Sequence, residues 1–484
     1  MANGPWSATG LAILTLFIAP AVRAQSVVAS DHDMSTMAHD MADMRHDMAP
    51  MGHAMPPSGA LGQYSPTREA SGTSWQPDES VHEGVHSSAG EWSLMAHAML
   101  NLIRSRQSGL RGDSKTFVAG WGMASARRDF SQADTVNLRI MLTPEPLMGA
   151  RGYPLLLAAG ETADGATVLR DRQHPHDLFM ELSASYSRRL ASRSSAFLYV
   201  GLPGEPAVGP PAFMHRLSAM DSPEAPIGHH SMDSTHVTFG VVTGGLVHGR
   251  WKLEGSAFRG REPDQRRYGI ETPRLDSASL RLSWNPTARL ALQVSRAWLQ
   301  SPEQLDPQTN ERRSTASAIY TRRLGSRGWW SSTVAYARKV RSNPGVPLMA
   351  SDAWLVESAA RTGLGLTFFG RADQVRSDEL ENPVFPVVLP PVFLPVGFPL
   401  LPSSRATIEV LEPQVRRHVA GALPQPLRRV EKLSLGAVYD IPIAGHAKLG
   451  FGALYSFIRV PQALDYAYGP RPGGAMAFAR LTIN

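Results

Sequence analysis

Cysteine is absent from all 484 residues of the chain. Its absence excludes disulfide bridges, and it also excludes the cysteine-ligated blue-copper centre that a multicopper oxidase requires. A chain without thiols is compatible with an exported protein that avoids disulfide chemistry. Any metal site in this protein must therefore use other donor atoms.

Long apolar runs and long basic runs are also lacking. Beyond the N-terminus, no stretch of about 18 apolar residues runs uninterrupted, as a spanning helix would require. Residues 384–402 come closest, but they contain six prolines, which excludes a helix. The net charge is only +6 and arginine is scattered along the chain, so nucleic acid is not an expected partner.

Residues 1–24 have the pattern of a secretory signal peptide. Leu11 to Pro20 form a short apolar core, too short to cross a bilayer, and Val22-Arg23-Ala24 places small residues before a cleavage site. An ordinary N-terminal helix is the alternative, but nothing amphipathic follows. We expect an exported chain that begins near Gln25.

Residues 32–55 repeat histidine and methionine with a period of seven. A heptad often indicates a coiled coil, but no aliphatic seam of Leu, Ile or Val accompanies this one. The repeat is therefore interpreted as a set of donor atoms. Its members are His32, Met34, Met37, His39, Met41, Met44, His46, Met48, Met51, His53 and Met55.

The donors of the repeat favour copper. Thioether sulfur is soft and suits Cu(I), whereas imidazole binds both copper states and zinc. Zinc has little use for thioether. We predict that the repeat binds copper, with Cu(I) preferred and Cu(II) as the second option; the alternative is a low-complexity tail without a ligand.

The region around the repeat predicts an extended arm. Residues 25–87 are rich in Met, His, Asp, Pro, Ser and Gly and have little aliphatic surface, which is typical of a disordered segment. We expect a disordered periplasmic arm over 25–87 and a folded domain over 88–484. Residues 382–428 form a proline-rich insertion in that domain, predicted to be an external loop.

Alternation of apolar and polar residues dominates the folded domain. In SASLRLSW (277–284) and AKLGFGALYSF (447–457), every second residue is apolar. A period of two indicates strands with one apolar face, in either a soluble β-sandwich or a membrane barrel. The segments run for roughly 9–14 residues, which matches the 9–11 residues that a tilted strand needs to cross a bilayer.

The connections decide between these two folds. Short turns, such as 190–194 and 247–249, alternate with long connections, such as 148–176 and 203–234. This alternation is typical of bacterial outer-membrane barrels. We predict an all-β transmembrane barrel of about 16 antiparallel strands, with both chain ends on the periplasmic side.

One strand of the barrel carries a second set of soft donors. In EWSLMAHAMLNL (91–102), Met95, His97 and Met99 would face the lumen, and Met141 would face the same space. They either form a second copper station or fill space between larger side chains.

The segment RDRQHPHDLFMEL (170–182) is the third candidate. Pro175 favours an extended His174, so His174 and His176 would point to the same side and chelate one ion. The favoured alternative is a loop clamp in which Arg170 and Arg172 pair with Asp171 and Asp177. The next long connection supplies further histidines that could join the pair, namely His215, His229, His230 and His236.

Two resemblances follow from these motifs. The arm resembles the Met/His-rich N-terminal segment of the copper-resistance protein B family, which are outer-membrane barrels of bacterial copper-tolerance systems. The folded domain resembles a family of exported proteins through GQYSPTREASGTSWQP (62–77), TPEPLMGARGYPLL (143–156), GETADG with RDRQHPHDLFMEL (160–182) and VEKLSLGAVYDIP (430–442). The resemblance implies an outer-membrane location and a role in copper handling, and it supplies no catalytic residues.

The prediction is a non-enzymatic, copper-binding barrel of the bacterial outer membrane that sequesters or exports excess periplasmic copper. Its expected partners are outer-membrane lipid, copper ions and periplasmic copper-handling proteins. The first alternative is a general porin with an incidental tail. The second is an outer-membrane lipid hydrolase, although no spacing in the sequence singles out a nucleophile and its base.

Overall fold

The computed structural model describes residues 58–81, 83–344, 348–380 and 426–484. The predicted signal peptide, the His/Met repeat and residues 382–425 of the proline-rich insertion lie outside the described residues.

The described residues contain one closed antiparallel barrel of 16 strands, which confirms the predicted fold. Each strand pairs with the strands before and after it, and the last strand pairs with β2 to close the sheet. The short β1 pairs with the first part of β2, and β5 and β6 form a separate hairpin. The strands are β1 (Val85–Ala89), β2 (Trp92–Gln107), β3 (Ser114–Asp129), β4 (Asp134–Leu142), β5 (Tyr153–Thr162), β6 (Val168–Gln173), β7 (Phe179–Ala191), β8 (Ser194–Gly201), β9 (Val241–His248), β10 (Trp251–Phe258), β11 (Ser277–Thr287), β12 (Leu290–Leu299), β13 (Asn310–Leu324), β14 (Gly328–Ser342), β15 (Met349–Arg361), β16 (Leu366–Ser377), β17 (Arg428–Ala444), β18 (Ala447–Arg459) and β19 (Gly473–Ile483).

The barrel has its apolar face outside and its polar face inside. On β11, Leu280 is 54% exposed, whereas the neighbouring Arg281 is 1% exposed. The same holds on β17, where Leu435 is exposed and Lys432 is buried. A soluble β-sandwich would bury the apolar set instead, so this arrangement is that of an outer-membrane barrel with lipid around it.

Aromatic side chains lie near both rims of the apolar surface. Trp251 and Trp284 stack with ring centroids 4.7 Å apart close to the short turns. Trp298 and Trp354 lie near the long connections, and both are exposed. Two such girdles mark the membrane interfaces of barrels of this class.

The connections alternate as predicted. Turns of two to four residues join the strands at one end, as between β7 and β8, and the longer connections lie at the other end. β2 begins and β19 ends at the short-turn end of the barrel. The described helices are single turns, and none is long and apolar enough to cross a membrane. They are Pro66–Arg68, Glu145–Met148, Phe213–His215, His229–Met232, Ser234–His236, Gln462–Leu464 and Asp465–Tyr468.

The connection between β8 and β9, residues 202–240, crosses the interior of the barrel. Arg216 binds Glu357 of β15, with Nε 2.6 Å from Oε1, and Glu224 binds Lys432 of β17 at 2.7 Å. The same connection also binds β10, since the Ala207 amide donates to the hydroxyl of Ser256. Strands on several sides of the barrel thus hold one loop inside the lumen.

The expected disordered arm and the described structure differ over residues 58–87. Residues 58–81 and 83–87 are ordered, and the stretch up to residue 81 lies inside the short-turn end of the barrel. The side-chain Nδ2 of Asn285 donates to the Gln76 carbonyl at 2.8 Å, and the Ser195 hydroxyl donates to the Leu61 carbonyl at 2.7 Å. The composition of residues 25–87 predicted disorder because it contains few aliphatic residues. In the structure, two aromatic residues, Tyr64 and Trp75, provide the packing of this segment instead.

The connection between β4 and β7 contains the β5–β6 hairpin, which the alternation of residues did not predict. The ring of Tyr153 stacks on Phe117 of β3, with centroids 4.6 Å apart, so the hairpin packs against the barrel wall. Asp171 has a positive φ of 55°, a conformation that is uncommon for residues other than glycine. In that conformation its carboxylate accepts the Leu157 amide at 2.8 Å.

Candidate functional site

Seven methionines gather on one side of the lumen. They come from β2, β3, β4, the start of β7 and the crossing connection, and they surround the buried Trp121. We call this group the methionine cluster. Its members are Met95, Met99, Met123, Met141, Met180, Met214 and Met220.

Strand register builds the centre of the methionine cluster. His97 of β2 lies directly opposite Met123 of β3, and Met123 lies directly opposite Met141 of β4. Opposed residues on neighbouring antiparallel strands share one face, with Cβ atoms about 4.5–5.5 Å apart. One imidazole and two thioethers therefore form a row across three strands, and Met95 and Met99 flank it on β2.

The sequence placed Met95, Met99 and Met141 correctly on the luminal side. Met123 was not among the predicted donors, although the alternation of β3 places this residue on the same face as Trp121. The sequence also missed Met214 and Met220, because they belong to the crossing connection and no periodicity places a loop. His215 of that connection lies against Trp121, with ring centroids 5.0 Å apart.

Three buried histidines meet next to the methionine cluster. His176 follows β6, while His229 and His236 belong to the crossing connection. One ring nitrogen from each lies within 4.8 Å of the other two. We call these residues the histidine triad.

Hydrogen bonds fix the rings of the histidine triad. Nδ1 of His176 lies 2.8 Å from Oε2 of Glu145. Nδ1 of His229 lies 2.7 Å from Oδ1 of Asp233, and Nδ1 of His236 lies 2.6 Å from the Asp233 carbonyl oxygen. Each Nδ1 is directed at an oxygen acceptor, which leaves Nε2 as the outward-facing nitrogen of each ring.

The electrostatics of the histidine triad are uneven. Burial lowers the pKa of His236 well below its usual value, and the positive charges of His176 and His229 lower it further. Burial also lowers the pKa of His229, which Asp233 only partly offsets. Burial acts in the same direction on His176, but the Glu145 carboxylate outweighs it, so the pKa of His176 rises.

His174, which was predicted to chelate one ion together with His176, lies outside the histidine triad. Their ring centroids are 6.3 Å apart, and Nε2 of His174 lies 2.9 Å from Oε1 of Glu161. Burial lowers the pKa of His174 to about 4. Glu161 also binds Arg267 at 2.6 Å, so His174 belongs to a neighbouring ion-pair network.

The charged residues around His174 and His176 form ion pairs, but with other partners than the predicted clamp. Asp177 binds Arg267 at 3.1 Å, and Arg172 binds Asp113 at 2.7 Å. Asp171 binds Arg111 rather than its own neighbours. These bonds tie the segment to other connections, which fixes the position of His176.

A small cavity joins the methionine cluster to the histidine triad. It has a volume of about 50 Å³. Its lining includes Met99, Met214 and Met220 of the methionine cluster, together with His176 and Glu145. Thioether and imidazole donors thus border the same space.

No family model matches the chain, and no curated protein matches it. Solved structures with a similar chain topology include bacterial outer-membrane proteins. The anion-selective porin from Comamonas acidovorans is 9% identical, with 81% of this chain and 100% of the porin covered and a TM-score of 0.44. OmpT of Vibrio cholerae is 7% identical over 83% and 100% of the two chains, with a TM-score of 0.44. Salmonella typhi OmpF in complex with daunomycin is 10% identical over 82% and 100%, with a TM-score of 0.46.

Proposed function

We propose that this chain is a copper-binding barrel of the bacterial outer membrane that sequesters or exports excess periplasmic copper. The observation that carries the proposal is the row of His97, Met123 and Met141 inside the methionine cluster. Neutral thioether and imidazole donors in a buried space suit Cu(I) better than any harder ion. The His/Met repeat of residues 32–55 supplies the same donors in the predicted periplasmic arm.

The crossing connection bears on the competing function, a general diffusion porin. Arg216 and Glu224 anchor residues 202–240 to β15 and β17 of the wall, and all four charges of these two ion pairs are buried. A wide pore for unselective diffusion needs an open lumen. A loop tethered across the lumen narrows the water-filled channel that such diffusion requires.

The lipid hydrolase remains the weaker alternative. Ser183 lies near His174 and His176 in sequence, and its hydroxyl donates to Oε1 of Glu181 at 2.6 Å. Glu181 in turn binds Arg139 at 2.8 Å. The hydroxyl thus contacts a carboxylate that an arginine already neutralises, which is a poor base for activating a nucleophile.

The proposal is tested by titrating purified protein with Cu(I) in the presence of a competing chromophoric chelator, without oxygen. The titration compares the full chain, a chain lacking residues 31–55, and the variant Met123→Leu/Met141→Leu. Leucine keeps nearly the volume of methionine and removes only the sulfur. Met476→Leu is the matched control, because Met476 is equally buried on β19 but packs in a different cluster.

We expect the deletion to remove several equivalents of Cu(I) and the double variant to remove one tightly bound equivalent. The control is expected to bind as much copper as the full chain. Equal stoichiometry in all four proteins would show that the methionines only fill space.

A further inference from the structure

The Nε2 atoms of His176 and His236 face each other at a distance of 3.0 Å. Both Nδ1 atoms are bonded to oxygens, and the backbone carbonyl of Asp233 can only accept a hydrogen bond. A neutral imidazole has one N–H, so a ring whose Nδ1 donates has an unprotonated Nε2. Two such nitrogens would direct their lone pairs at each other. A cation between them, either a proton or a metal ion, removes that repulsion.

His229 brings a third ring nitrogen within 4.8 Å of the other two. Its ring centroid lies 5.1 Å from that of His236, and Asp233 holds its Nδ1. A pair sharing a proton needs only two rings, whereas a metal ion takes three or four donors. The third ring therefore favours a metal ion over a shared proton.

The spacing of the histidine triad suits a metal ion. Two imidazole nitrogens bound to one tetrahedral ion at about 2.0–2.1 Å are about 3.3 Å apart. The nitrogens of the triad lie 3.0 Å apart in one pair and within 4.8 Å overall. Small rotations of the rings would bring all three into contact with one ion.

The hydrogen-bond partners of the histidine triad resemble those found around metal-binding histidines. Metal-binding histidines usually donate their second N–H to a carboxylate or a backbone carbonyl, which fixes the ring and raises its basicity. Here Glu145 and Asp233 supply these acceptors to all three rings. Arg216 holds Asp233 in turn, with Nη1 2.8 Å from Oδ2.

We propose that His176, His229 and His236 bind one divalent transition-metal ion through their Nε2 atoms. Three imidazoles suit Cu²⁺ and Zn²⁺, and the general order of affinities predicts tighter binding of Cu²⁺. The site is distinct from the methionine cluster because its donors are nitrogens alone. This proposal does not depend on Cu(I) binding by the methionine cluster, so either proposal can be disproved without affecting the other.

The test uses the full chain in detergent micelles after treatment with a chelator. One equivalent of Zn²⁺ is added, and X-ray absorption at the zinc edge counts the imidazole ligands. Equilibrium dialysis then compares the full chain with His236→Gln and His229→Gln. The matched control is His446→Gln, since His446 lies on an exposed short turn.

We expect three imidazoles around zinc in the full chain. Each triad variant should bind the tightest equivalent more than about 100-fold more weakly, because loss of a ligand exceeds the 10–100-fold effect of losing a ligand's hydrogen-bond partner. The control should bind as the full chain does, and so should Met123→Leu/Met141→Leu. A zinc site with fewer than two imidazoles, or one unchanged in His236→Gln, would overturn the proposal and leave a shared proton between His176 and His236.

Folding of the variants is checked by the shift in electrophoretic mobility that folded barrels show before heating. If both triad variants fail to fold, the imidazoles around zinc are counted in the chain lacking residues 31–55, because the histidines of the His/Met repeat are then absent. Three imidazoles support the site, and a sulfur-rich or oxygen-rich shell contradicts it.

Discussion

Arg216 and Glu357 are joined inside the barrel, with Nε 2.6 Å from Oε1, although they lie on a loop and on a strand far apart in sequence. The same arginine binds Asp233, whose carboxylate and carbonyl hold His229 and His236. The ion pair therefore connects the barrel wall to the histidine triad. Both residues are almost fully buried, so each charge depends on the other.

Removal of this arginine is expected to destabilise the barrel. Arg216→Gln leaves Glu357 and Asp233 buried without their cation, which should lower the free energy of unfolding by about 3–5 kcal/mol. Urea unfolding in detergent, followed by tryptophan fluorescence, measures the change. Arg338→Gln is the control, since Arg338 binds Asp352 on the exposed surface and should contribute less than about 1 kcal/mol. Equal effects of the two substitutions would contradict the anchoring role of Arg216.

The ordered segment 58–81 is expected to restrict the pore. It lies at the short-turn end, where the Glu79 amide donates to the Ala288 carbonyl and Arg68 donates to the Gly249 carbonyl. Deletion of residues 31–81 should raise the single-channel conductance in planar bilayers because it empties that end of the lumen. Deletion of 31–55 alone should leave conductance at the level of the full chain. If both deletions conduct as the full chain does, the segment does not limit the pore.

Glu145 is expected to position His176 for metal binding. The Glu145 carboxylate accepts hydrogen bonds from both Nδ1 and the backbone amide of His176. Glu145→Gln keeps the shape but removes the charge, and it should weaken Zn²⁺ binding about 10–100-fold. Glu161→Gln makes the same change beside His174 and should leave Zn²⁺ affinity near that of the full chain. Dialysis against buffered zinc gives both values, and the reverse ranking would assign the ion to His174.

Glu205 is expected to make the barrel less stable as the pH rises. Burial raises the pKa of Glu205 from 4.5 to about 8, and Arg281 offsets this only in part. The folded state therefore keeps a proton that the unfolded chain releases. The contribution of Glu205 is fully present below pH 4.5 and is lost as the pH approaches 8, with a slope of up to about 1.4 kcal/mol per pH unit.

The variant Glu205→Gln isolates this effect, since an amide does not titrate. Urea unfolding at a series of pH values between 4.5 and 8 should show a flatter decline in the variant than in the full chain. Glu91→Gln replaces an exposed glutamate and should keep the original slope. A variant with the same slope as the full chain would show that other groups cause the decline.

The sequence by itself determined the barrel and one face of its candidate site. Alternation over β2 placed Met95, His97 and Met99 on the luminal side, because a strand has a fixed period of two and lipid requires the apolar set outside. The alternation of short and long connections indicated the strand number and the end of the barrel at which the first strand begins and the last strand ends. These features are local, so they can be read from neighbouring residues.

Only the tertiary structure decided how the long connections fill the lumen. His176 meets His229 and His236 because Glu145, Asp233 and Arg216 fix the connections, and these partners are distant in sequence. His174, one residue away from Pro175 like His176, is instead held by Glu161. Loops have no periodicity, and their path follows from ion pairs and packing with strands far along the chain, which no local pattern records.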